Sequence, residues 1–192
     1  MYHIKPDKRS QDSAKELGKG LLRCLQTKPM EQVTISDLFR ETNISRTTFY
    51  RLFDSPEDIL LYLCAEHMAQ LEAFYVCHPS SSIEELSIGS IEVFTSDPLL
   101  EEALVRNHRM DLLTEMFLQN YRHMSSQLPG LHMLDEAAQE YVQAFICSTM
   151  TASLTTWIKR GRVESPEQLA LYPKFYMQVL NQLYSQNNNG AS

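Results

Sequence analysis

Long apolar runs are missing from this 192-residue sequence. The longest, residues 59–65, is far short of the roughly 20 residues a membrane-spanning helix needs, so no membrane partner is expected. No charged-then-apolar leader precedes Cys24, Cys64, Cys77 and Cys147, and no two of them form a C-x-x-C pair, which points to reduced thiols and a cytoplasmic location. Glycine is scarce, at six, and alternating β-branched runs are almost absent, which argues against a sheet. Catalytic signatures are missing too. With no Ser-His-Asp order, Gly-rich phosphate loop or paired carboxylates, the expectation is a protein that is no enzyme and holds no cofactor. Cys64-x-x-His67 offers two metal ligands one turn apart, but His78 lies roughly 16 Å further along at about 1.5 Å per residue, so no metal site is expected.

Positive charge is in deficit overall and unevenly placed. The chain carries a net −7, yet residues 1–55 hold ten Lys and Arg against seven Asp and Glu, and residues 56–192 hold seven against seventeen. A cationic module of +3 therefore precedes an acidic body of −10.

What is abundant is helical periodicity. Leu17, Leu21 and Leu25 recur every four residues in a first helix, about 10–28, which Lys28-Pro29 stops. Thr34-Ile35-Ser36-Asp37 is a capping signature that opens a second helix of about two turns, and Ser45 can cap a third, about 46–53. Ser55-Pro56-Glu57-Asp58 then starts a long fourth helix to about Val76. Ser82-Ile83-Glu84-Glu85 restarts the pattern after a break, and Asp97-Pro98 and Leu128-Pro129-Gly130 frame two further stretches. An apolar-rich helix is predicted over residues 134–160, ending at Gly161, and a last one from Pro166 to about Tyr184.

Two short helices joined by a tight turn after a longer helix form a helix-turn-helix pattern, with Asn43 placed where the turn would take a positive φ. At 100° per residue, Phe49 and Phe53 point one way, toward Leu38 and the first helix, while Thr47 and Arg51 lie nearly opposite, flanked by Arg46, Thr48 and Tyr50. Guanidinium, hydroxyl and phenol groups donate to phosphate oxygens and base edges, and residues 43–53 contain no acid.

The stretch VTISDLFRETNISRTTFYRLFDSPEDIL resembles the N-terminal helix-turn-helix of TetR-type bacterial regulators. That resemblance covers about residues 10–60 and implies phosphate contacts from Thr34, Ser45, Thr48 and Tyr50, and base contacts from Arg46, Thr47 and Arg51. Asn43 replaces the usual turn glycine, and Pro56 stands where a lysine commonly reaches a phosphate, leaving Lys5, Lys8, Arg9 or Lys28 as substitutes. KPMEQVTISDL and WIKRGRVESPEQL are similar to a subgroup that includes regulators of dihydroxyacetone-kinase operons, which brings in a protein coactivator as an alternative to a small inducer.

The expected architecture is all-α: an N-terminal three-helix helix-turn-helix head, residues 1–54, a C-terminal helical effector-binding and dimerisation domain, 55–185, and a disordered tail, 186–192. The expected function is transcriptional regulation on double-stranded operator DNA, as a repressor released by an effector in the C-terminal domain. The alternatives are a regulator or activator controlled by a protein partner, and a helical sensing domain with weakened DNA binding. A homodimer through the last two helices is expected, since one short helix makes too few base contacts. Tyr141, Phe145, Trp157, Phe175, Tyr176, Val179, Leu180 and Leu183 are the candidates for that interface. The effector site has no signature; Tyr62, His67, Phe74, His108, Met116, Phe117, Tyr121 and Met150 mark a search region.

Overall fold

The computed structural model describes residues 1–78, 82–125 and 133–189. Among these the chain is helical, in the order α1 (Lys8–Thr27), a 3₁₀ turn (Met30–Gln32), α2 (Ile35–Glu41), α3 (Arg46–Leu52), α4 (Pro56–Cys77), α5 (Ile83–Phe94), α6 (Pro98–Arg106), α7 (Met110–Ser125), α8 (Glu136–Lys159) and α9 (Pro166–Asn189). Extended pairing among the described residues is confined to one antiparallel bridge, Tyr2 with Phe53.

Capping chemistry sets the starts. Thr34, Ser55 and Ser82 each complete a reciprocal capping box, and Ser45, Asp97 and Asp135 accept a first-turn backbone N–H. The start of α9 follows the same logic, with Gln168 N–H on Ser165 Oγ. This helix continues past Tyr184 to Asn189, because nothing after Pro173 in that span is a proline or glycine; residues 190–192 of the expected tail lie outside the described residues. The Leu128-Pro129-Gly130 break is also outside them.

The boundary between α6 and α7 has no proline or glycine. It falls at Asn107-His108-Arg109, where His108 takes φ 55°. Asn107 holds it there: its Oδ1 accepts the Met30 N–H at 2.7 Å and its Nδ2 donates to the Ala103 carbonyl at 2.7 Å.

α1 packs on α2, α3, α4 and α6; α4 continues into the body against α5 and α7; α7 and α6 meet α8, and α5 meets α9. One apolar core runs through all of this, from Leu17, Leu21, Phe49 and Phe53 through Leu60, Leu71 and Phe94 to Leu154 and Leu169. At the far side, Gly161 (φ 82°) and Arg162 (φ 57°) turn α8 into α9. Arg162 reaches back to α6, donating to Glu102 at 2.7 Å, the Pro98 carbonyl at 3.0 Å and the buried Glu101 at 3.3 Å.

Candidate nucleic-acid interface

The short helix α3 is held down from one side. Phe49, Leu52 and Phe53 are fully buried, with Phe49 edge-on to Phe39 of α2 at 6.1 Å, so burying three large side chains fixes the register of only seven helical residues. Its other side is polar. Ser45, Arg46, Thr47, Tyr50 and Arg51 are exposed, and Thr48 is half-buried. Thr34, at the start of α2, is exposed as well.

The hydroxyls in this set do local work. Thr34 Oγ1 accepts the Asp37 N–H at 3.2 Å and donates to the Asp37 carboxylate at 2.7 Å. Ser45 Oγ accepts the Thr48 N–H at 3.2 Å, and the two hydroxyls share a hydrogen bond of 3.0 Å. The structure thus gathers Ser45, Arg46, Thr47, Thr48, Tyr50 and Arg51 on one helix, and sets Thr34 at the head of its neighbour.

The turn between them departs from the expectation for Asn43. Positive φ among the described non-glycine residues occurs at His108 and Arg162, not at Asn43. Thr42 closes the turn instead: its backbone is extended, and its hydroxyl donates to the Leu38 carbonyl at 2.8 Å while accepting from Ile44 N–H at 3.4 Å. The sequence signal for this closure is the threonine ahead of the turn, not the asparagine within it.

The cations sort into two groups. Lys28 lies 2.8 Å from Asp37, which Arg40 also contacts; this pairing, led by Lys28 and then Thr34, holds the Asp37 carboxyl well below the usual carboxylate range. Lys28 is therefore engaged inside the head rather than free to replace the lysine absent at Pro56. Arg46 and Arg51, with Lys5, Lys8 and Arg9 around the start of α1, form no ion pair among the described residues. Arg46 lies over the Phe39 ring at 5.8 Å. Arg51 is near Asp7, whose carboxyl is held down first by its bonds with Ser10 and also by that arginine. The C-terminal side of α3 is acidic, with Asp54 and Glu57 exposed and Pro56 serving as the first residue of α4.

An N-terminal arm not anticipated from the sequence completes the head. His3 N–H donates to the Leu52 carbonyl at 2.8 Å, and the Tyr2 ring packs on Phe53 at 6.5 Å and Tyr62 at 5.9 Å.

In the body, Tyr141, Phe145, Phe175, Tyr176 and Val179 are exposed, with the Phe145 and Tyr176 rings stacked at 5.8 Å between α8 and α9. Trp157 is not on that face. It is buried, its indole N–H donating to the Glu164 carbonyl at 2.8 Å under the Arg162 guanidinium, because the α8–α9 turn folds over it. The side chains of Leu180, Leu183 and Tyr121 lie outside the described residues. The effector search region does not converge: Phe117 is core, Phe74, Met116 and Met150 pack against it, and His108 is exposed. Tyr62 and His67 do line one open cleft, of about 420 Å³, between α1, α4 and the α5–α6 corner.

Residues 19–63 match the family described as bacterial regulatory proteins, tetR family. No curated protein matches. The chain shares the fold of Lin0861 from Listeria innocua, with a TM-score of 0.76 at 14% identity, over 93% of this chain and 96% of that one. It also aligns with the dihydroxyacetone kinase operon activator DhaS, at a TM-score of 0.48 and 18% identity over 91% and 95% of the two chains. The family match thus lies on the helix-turn-helix, residues 19–63, and that segment is similar to the DNA-binding head of TetR-type regulators.

Proposed function

We propose that the chain works as a homodimeric repressor that releases operator DNA when its body binds an effector. The observation that carries the DNA half of this reading is the face of α3: two arginines, hydroxyls and a phenol exposed on a helix whose opposite side is fully buried. In this reading Arg46, Thr47 and Arg51 approach base edges, while Thr34, Ser45, Thr48 and Tyr50 meet phosphates. The head is residues 1–54, and the body, 55–185, pairs and responds.

Pairing is supported by the exposed aromatic faces of α8 and α9, where Tyr141 is 80% and Phe175 is 50% exposed. Aromatic side chains in that state favour a partner surface. Two copies joined there would carry two α3 helices, as a two-half-site operator requires at about 34 Å separation.

The test is binding to DNA upstream of the gene and to a scrambled control across a salt series. Preference for the upstream DNA that weakens with added salt is expected; equal, feeble binding to both would defeat the reading. Arg46→Ala should relax sequence preference, and Tyr50→Phe should weaken all sequences alike. Phe175→Glu should give a monomer by sedimentation and lose operator binding with it.

A further inference from the structure

The cleft beside α4 is built from both halves of the molecule. The head supplies Lys15 and Lys19, one turn apart on α1; the body supplies Glu66 on α4 and Asp97 at the start of α6. These opposite charges line one opening, yet no ion pair joins them among the described residues. Asp97 uses one carboxylate oxygen to accept the Leu100 N–H at 3.2 Å, which leaves the other for a ligand.

The floor is different in kind. Tyr62, His67 and Leu100 are buried there, His67 only 4% exposed with its ring 5.2 Å from Phe94. Burial lowers the pKa of the imidazole, with Asp97 and the Phe94 backbone opposing, so at neutral pH it is uncharged and one of its ring nitrogens is an acceptor. A space of about 420 Å³ falls in the range of small-molecule sites, which are concave and apolar with a few placed polar groups.

We propose that this cleft binds a small zwitterion with an apolar side chain, of the amino-acid type. Its carboxylate meets Lys15 and Lys19, its ammonium meets Glu66 and Asp97, and its apolar part covers Leu22 and Leu100. The paired charge on the walls selects the class: a simple anion leaves the two acids unanswered, and a simple cation leaves the two lysines. Because the ligand touches α1 and the α5–α6 corner together, it would favour one placement of head on body. That consequence rests on the DNA-binding reading, and occupancy would then change DNA affinity by the factor with which DNA changes ligand affinity.

The experiment uses no DNA, so its outcome is independent of the operator test. Saturation-transfer NMR on the full chain compares L-phenylalanine with 3-phenylpropionate and phenethylamine, which keep the skeleton and lose one charge each. Saturable L-phenylalanine binding is expected, with both charge-deleted probes weaker by about tenfold or more. K15Q/K19Q, at exposed positions, and E66Q, separately, should each weaken L-phenylalanine by about tenfold while leaving the thermal melt unchanged. Absent saturation, equal binding of the three probes, or full L-phenylalanine affinity in both variants would each overturn the proposal.

Discussion

A methyl group at position 20 would lie 2.3 Å from the Thr42 Cγ2, so Gly20 lets α1 come against the turn of the helix-turn-helix. Thr42 is thus constrained twice, by that contact and by the two hydrogen bonds of its hydroxyl. In a helix interior Gly→Ala is worth about 1 kcal/mol in favour of alanine, whereas overpacking costs about 1–3 kcal/mol, so the clash should win. Gly20→Ala is expected to destabilise the protein in urea. Thr42→Ser keeps the hydroxyl and removes the methyl, and in that background Gly20→Ala should become neutral or stabilising; additive costs in the cycle would refute the contact. At this scale the buried face of α3 was legible, because Phe49, Leu52 and Phe53 follow from 100° spacing alone. Which residue closes the turn was not, because Thr42 and Asn43 both suit turns and only the bonds to Leu38 and Ile44 decide.

The helices themselves were readable from their first residues, since Ser, Thr and Asp caps act within three residues of where they stand. The end of α6 was not, because the amide that fixes it answers to Met30 in the distant 3₁₀ turn. Helix α6 also carries a carboxyl with an unusual titration. Burial pushes Glu101 from 4.5 up to about 7, against the opposing effect of Arg162 and with help from Asp97 and Glu102. A raised folded pKa means that this group's contribution is full below its unfolded value and is lost as pH rises through the folded one. Melts between about pH 4.5 and 8 should therefore show wild type losing stability relative to Glu101→Gln as pH rises toward 7. The comparison with the variant matters because His67, lowered by burial, contributes in the opposite direction over part of that window. Asp37 is depressed, so its contribution is already complete above the ordinary carboxylate range and drops out. A constant difference between the two proteins would remove Glu101 as the cause.

At the scale of the whole molecule, charge distribution points to two parts, a cationic head and an acidic body, and the family match, residues 19–63, covers most of the first and only the opening turns of α4 in the second. What that reading could not contain is the seam, since it is made by residues far apart in sequence. Arg106 of α6 donates to the Gln26 carbonyl at 2.7 Å and the Leu25 carbonyl at 3.3 Å at the end of α1, and Asn107 Oδ1 accepts the Met30 N–H at 2.7 Å. Beneath these bonds the apolar core passes from head to body without interruption. Two stretches of unlike charge that share one core have no separate melting points. Urea should remove the far-UV helical signal in a single step, at the same midpoint as the fluorescence of Trp157, the chain's one tryptophan, buried deep in the body. A two-step loss of helix, with Trp157 following only one step, would mean that the head unfolds alone.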